Sequence, residues 1–138
     1  MFDHCLYFNT TALARALERE WTRAFKPFGL TPSQAFMLRM VLDQPGLLQG
    51  QLAEALSIAR PTATRTLDGL QKLLLVERRS TPSDGREYAI HPTAAAESIG
   101  AALNSASAAV SRRLKKSLGT AAFEDTVTQV RRIRATLG

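Results

Sequence analysis

Apolar residues recur at helical spacing along most of this chain. Leu13, Leu17, Trp21 and Phe25 fall four residues apart, with Leu6 and Phe28 near the ends, which predicts a helix over residues 4–28. Gly29 suits the position just past its end, where left-handed backbone is wanted. Leu30-Thr31-Pro32 then opens a second helix. The Thr31 hydroxyl can accept one of the free N–H groups of the first turn, and Pro32 costs nothing at the first helical position. Phe36, Leu38, Met40, Val41 and Leu42 supply its apolar content, and Pro45-Gly46 stops it. A short third helix, about 49–56, carries Leu52, Ala53 and Leu56 on one side. Ser57-Ile58-Ala59 makes a tight connection, and Pro61 starts a fourth helix over 61–74. Its inward positions are Ala63, Thr66 or Leu67, Leu70, and Leu73 or Leu74. Its outward face holds Arg60, Thr62, Arg65, Asp68 and Lys72.

The period then changes. Leu75–Arg79 and Glu87–Ile90 read as two strands, separated by the turn formers Ser80-Thr81-Pro82-Ser83-Asp84-Gly85-Arg86, which predicts a hairpin with a polar, basic tip. Helical spacing returns over 93–117 with Ile99, Leu103, Ala106, Val110 and Leu114. It resumes after Gly119 with Phe123, Val127, Val130, Ile133 and Leu137. These two stripes are narrow, as in a helix–helix seam. The fold class expected is mainly α with a small β-hairpin.

Composition narrows the function classes. At 138 residues the chain is one domain's length, with an apolar fraction of 45% that argues against wholesale disorder. No stretch reaches the roughly 18 uninterrupted apolar residues of a membrane span. The start, MFDHCLYFNT, lacks the basic-then-apolar pattern of a signal peptide. One cysteine cannot form an intramolecular disulfide, so a reducing cytoplasm is the expected compartment. The formal charge is +6, but residues 48–92 hold six basic and five acidic groups; the surplus lies mostly in the last third. Binding to DNA by the middle segment must therefore rest on the placement of its charges. No nucleophile elbow, phosphate-cradling glycine loop, dinucleotide fingerprint or metal motif is present, and His4 and His91 have no ligand cluster beside them, so an enzyme reading has no residue set to support it and neither metal nor cofactor is expected.

Two short helices, a tight turn and a hairpin form a winged helix-turn-helix pattern. A helix fits the DNA major groove, and the N-terminal end of a recognition helix meets base edges. That end carries Arg60, Pro61, Thr62, Thr64 and Arg65. Arginine can make two parallel bonds to guanine, and threonine can bond a base or phosphate and touch the thymine methyl. The hairpin tip presents Arg86, suited to the negative potential of an adjacent minor groove.

The run from Leu30 to Thr93 resembles the MarR family of bacterial transcriptional regulators. The resemblance is carried by Leu30-Thr31-Pro32-Ser33-Gln34, Pro45-Gly46-Leu47, Leu52-Ala53-Glu54-Ala55-Leu56, Arg60-Pro61-Thr62-Ala63-Thr64-Arg65 with Leu67-Asp68-Gly69-Leu70, and Leu75-Val76-Glu77-Arg78-Arg79 followed by Pro82-Ser83-Asp84-Gly85-Arg86. It implies that Asp84 orients Arg86 in the minor groove. It also implies that 1–29 and 93–138 are a helical dimerisation region around a winged helix-turn-helix over 30–92. A homodimer on a palindromic operator follows, in most such cases a repressor, with a small ligand bound between the helices; Trp21, Phe25, Phe28 and Phe36 are the candidate pocket residues. Three positions depart from the family pattern: Leu48 stands where a hydroxyl residue usually caps the third helix, Ala59 where serine precedes Arg-Pro, and Leu74 where glycine ends the recognition helix. One branch of the family senses hydroperoxides through an N-terminal cysteine about 14 residues before Tyr-Lys-Pro. Here Cys5 lies 20 residues before Phe25-Lys26-Pro27, with Thr11 in the matching place. A redox switch through Cys5 is the first alternative, and a winged-helix module for protein association without DNA is the second.

Overall fold

The computed structural model describes residues 1–82 and 87–138. Asp84 and Arg86, both expected at the wing tip, lie outside the described residues. Among the described residues, six α-helices and three strands follow one another as α1 (Leu6–Phe25), α2 (Pro32–Asp43), β1 (Leu47–Leu48), α3 (Gln49–Ala55), α4 (Arg60–Lys72), β2 (Val76–Ser80), β3 (Tyr88–Pro92), α5 (Ala94–Leu118) and α6 (Thr120–Leu137). The mainly helical class with a small β wing is the observed one.

The first helix ends earlier than its apolar spacing predicts. Pro27 follows, and Lys26–Phe28 tighten into a single 3-10 turn closed by Gly29 at φ 69°. Thr31 caps α2 as expected: its hydroxyl accepts from the Gln34 N–H at 3.2 Å, and the Gln34 side chain accepts from the Thr31 N–H at 3.0 Å. The sheet has one more strand than the sequence pattern indicates. After Gly46, Leu47 and Leu48 pair antiparallel with Ile90 and Ala89, giving the order β1-β3-β2. A two-residue strand carries no alternation, so only the pairing reveals it. The β2–β3 ladder runs from Val76↔Pro92 to Ser80↔Tyr88.

Phe25, Leu38, Val41, Leu52, Leu67 and Ile90 are fully buried where α2, α3, α4 and the sheet meet the end of α1. Ala63, Leu67 and Leu70 are the buried positions of α4; Leu73 and Leu74, one of which was expected to point inward, are exposed because the helix stops at Lys72. Leu74 sits at φ 59°, in the geometry glycine would adopt freely. The surroundings hold it there. Its N–H donates to the Gln71 carbonyl at 2.9 Å, and its carbonyl accepts from the Thr93 hydroxyl at 2.7 Å. Thr93 also accepts from the Ala96 N–H, so the residue that starts α5 fixes the end of α4. Leu48 and Ala59, the other two departures, provide no side-chain cap to α3 and α4; at α3 the Gln51 amide oxygen instead reaches back to the Leu48 N–H at 2.9 Å.

Among the described residues, Ser107 of α5 is the one buried polar side chain. Its hydroxyl accepts from Trp21 Nε1 of α1 at 3.0 Å and from Arg39 Nη1 of α2 at 3.1 Å. Arg39 also donates to Asn104 Oδ1 at 2.7 Å and lies over the Phe36 ring. Burial lowers the pKa of this guanidinium from its ordinary value. Three helices are thus joined by one satisfied polar node. By contrast, α6 has no fully buried residue within the protomer: Val127, Val130, Ile133 and Leu137 are all exposed, as are Leu6, Tyr7, Phe8 and Leu13 of α1. Its end reaches back to the turn after α3, where Arg134 Nη2 donates to Ser57 Oγ at 2.8 Å. Ser57 lies in the turn between α3 and α4 with φ 55°.

Candidate nucleic-acid interface

The candidate interface is built on the first two turns of α4. Arg60 and Pro61 open the helix, and Ala59 makes no side-chain cap to its end, so leading N–H groups are left for an anion. Arg60, Pro61, Thr64 and Arg65 are exposed together. Thr64 is held in place: its hydroxyl donates to the Arg60 carbonyl at 3.1 Å and accepts from Gln49 Nε2 at 2.8 Å. Among the described residues Arg65 is barely tethered, with one 3.5 Å contact from Nη2 to the Thr62 hydroxyl, so little of it is lost when Arg65 turns to a new partner.

Two of the expected contacts are placed differently. Arg60 lies back over α3 rather than standing clear of the helix. A side chain on Gly50 would stand 3.3 Å from Arg60 Nη2 and 3.0 Å from Glu87 Oε1, so the bare glycine leaves room for both groups to lie against α3. Arg60, Gly50, Gln49, Thr64, Glu87 and Tyr88 line a 350 Å³ cleft between α4 and the wing's stem. Thr62, expected on the outward face, is half-buried and looks toward α1, because it sits one residue before buried Ala63 on the edge that packs beneath the helix.

Pattern alone did not single out Gln49, Glu87, Tyr88 or Arg78 as parts of this face. The signal for Arg78 was present, since Val76 and Arg78 share one face of β2 and Val76 is buried under α4.

A second cavity of 490 Å³ lies between α1, α2 and the start of α4, walled by Leu17, Trp21, Phe36, Leu56 and Ile58, with Glu18 as its one charged lining group. Trp21 and Phe36 are thus on its wall. Phe25 and Phe28, also expected there, are not: Phe25 is fully buried, 6.0 Å behind Phe36 and edge-on to it, and Phe28 packs against the core. Cys5 is exposed and caps α1, its Sγ accepting from the Phe8 N–H at 3.5 Å. No cluster of three metal-ligating side chains occurs among the described residues, and no helix described is long and apolar enough to cross a membrane.

Helix, turn, helix and antiparallel wing in this order define a winged helix-turn-helix. Residues 28–87 match the model of the MarR family. Among curated proteins, a putative transcriptional regulatory protein for the hcr operon of Thauera aromatica is 32% identical over 85 residues, covering 56% of this chain and 51% of that protein. The chain spans about half the length of the curated relatives it matches. Two solved structures share the fold across nearly all of both chains. The repressor CouR, bound to a 23-mer DNA duplex, superposes with a TM-score of 0.89 at 24% identity, covering 96% of this chain and 94% of that one. MepR of S. aureus, in complex with DNA, superposes with a TM-score of 0.87 at 20% identity, covering 99% and 100%.

Proposed function

We propose that the protein is a homodimeric, ligand-modulated transcriptional regulator of MarR type, acting as a repressor in the cytoplasm. Residues 30–92 are its reading head, and residues 1–29 and 93–138 its dimerisation region. Each protomer lays α4 in the major groove and directs the wing, with Arg86 oriented by Asp84, into the flanking minor groove. The observation that carries this reading is the exposed face of α4, where Arg60, Pro61, Thr64 and Arg65 stand together beside the stem of the wing. The likeness to CouR and MepR, both solved with DNA, supports it. The bare apolar stripe of α6, close in kind to that of α1, supports a second copy as the partner, because a soluble protomer gains by covering it. The 490 Å³ cavity is of the size that holds small ligands and touches both Trp21 of α1 and Thr62 of α4. An occupant that fits one separation of the reading heads better than another shifts DNA affinity by that difference.

Salt separates this reading from a winged helix that binds only protein. Affinity for duplex DNA, followed by fluorescence anisotropy, is expected to fall by at least about tenfold between 50 and 200 mM salt through counterion release. Absence of duplex binding even at the lower salt contradicts the proposal.

A further inference from the structure

Asp68 is out of place on this surface. It stands on the outward face of α4 one turn after Arg65, its carboxylate half-exposed, on a helix that has to approach polyphosphate. The structure covers it. Arg78, reaching across from β2, donates from Nη2 to Asp68 Oδ1 at 2.8 Å and from Nη1 to the Gln71 side-chain oxygen, with the Thr64 carbonyl 3.5 Å from Nη2. The Arg78 side chain is only 17% exposed, against 53% for Asp68, so the guanidinium is seated on the helix and is not a mobile surface charge. Its stem is fixed by the strand, where Arg78 pairs with Ile90.

We propose that Arg78 is a positioning residue whose guanidinium masks Asp68, cancelling its repulsion of the DNA backbone and leaving Arg65 to set the field of the recognition face. The inference rests on the proposed DNA binding. It differs from a phosphate contact by Arg78 in one respect. If masking is its role, Arg78 matters only while Asp68 carries a charge. An unneutralised carboxylate beside phosphate acts over the distance that separates them, whereas a contact requires touching.

The test is a double-substitution cycle on the full chain, with a duplex selected by the wild-type protein as probe and circular dichroism to follow folding. Arg78→Gln is expected to weaken binding roughly tenfold. Asp68→Asn alone is expected to leave affinity at or above that of the wild type, and adding it to Arg78→Gln to restore most of the loss. Asp68→Asn lies on the surface and tests the idea even if Arg78→Gln unfolds. Undiminished binding by Arg78→Gln overturns the proposal, as does a loss that Asp68→Asn fails to rescue, or a weaker Asp68→Asn single variant. If the wild-type protein selects no duplex at all, the functional reading has failed and not this inference alone.

Discussion

Replacing Arg65 with alanine is expected to reduce discrimination between a selected operator and a scrambled duplex by roughly five- to 150-fold, about 1–3 kcal/mol for one bidentate guanine contact. Of the two arginines at the start of α4, Arg65 is the less engaged among the described residues. Arg60 is folded toward Gly50, and Thr64 is tied on both sides, whereas among the described residues Arg65 makes a single weak contact. Competition titrations at fixed salt measure the ratio directly. An equal loss on both duplexes would assign Arg65 to the phosphate backbone; no loss on either would remove it from the interface.

The second large effect concerns α6. Val130→Asp combined with Ile133→Asp is expected to convert the assembly to monomers and to lower operator affinity more than about a hundredfold, because each half-site is then bound without the help of the other. Both side chains are exposed in the protomer, and α6 places no residue in its core, so the substituted chain should still fold. In a dimer seam, each would instead place an unpaired carboxylate among apolar groups, at a cost of several kcal/mol. Analytical ultracentrifugation decides it. The wild type should sediment at twice the chain mass of 15.1 kDa and the variant at that mass. A wild-type protein already at the chain mass removes the dimer from the account.

The sequence was most legible where one local force dominates. The period of apolar residues placed α2, α4 and α5, and the Thr31-Pro32 pair placed the start of α2, because cap and ring act within a single turn. It was least legible where the outcome depends on a distant partner. The strand β1 exists only because Ile90 and Ala89 lie beside Leu47 and Leu48. Phe25 and Trp21 share one helical stripe, yet Phe25 is sealed into the core while Trp21 faces a cavity. Which of them does so is set by Phe36 and Ser107, not by spacing. Within the site, the residue types at 60–65 were readable, but their directions were not. Arg60 lies toward Gly50 of α3, and half-buried Thr62 lines the cavity against α1. The strained backbone at Leu74 was foreseeable from the missing glycine, whereas that at Ser57 had no comparable signal.

The central claim is that the two copies of α4 read one duplex together. Selection of bound fragments from a random duplex library tests it most directly. The expected product is an inverted repeat whose half-sites are centred about one helical turn, ~10 bp, apart. Recovery of a single unrepeated motif, or of no enriched sequence, would contradict it.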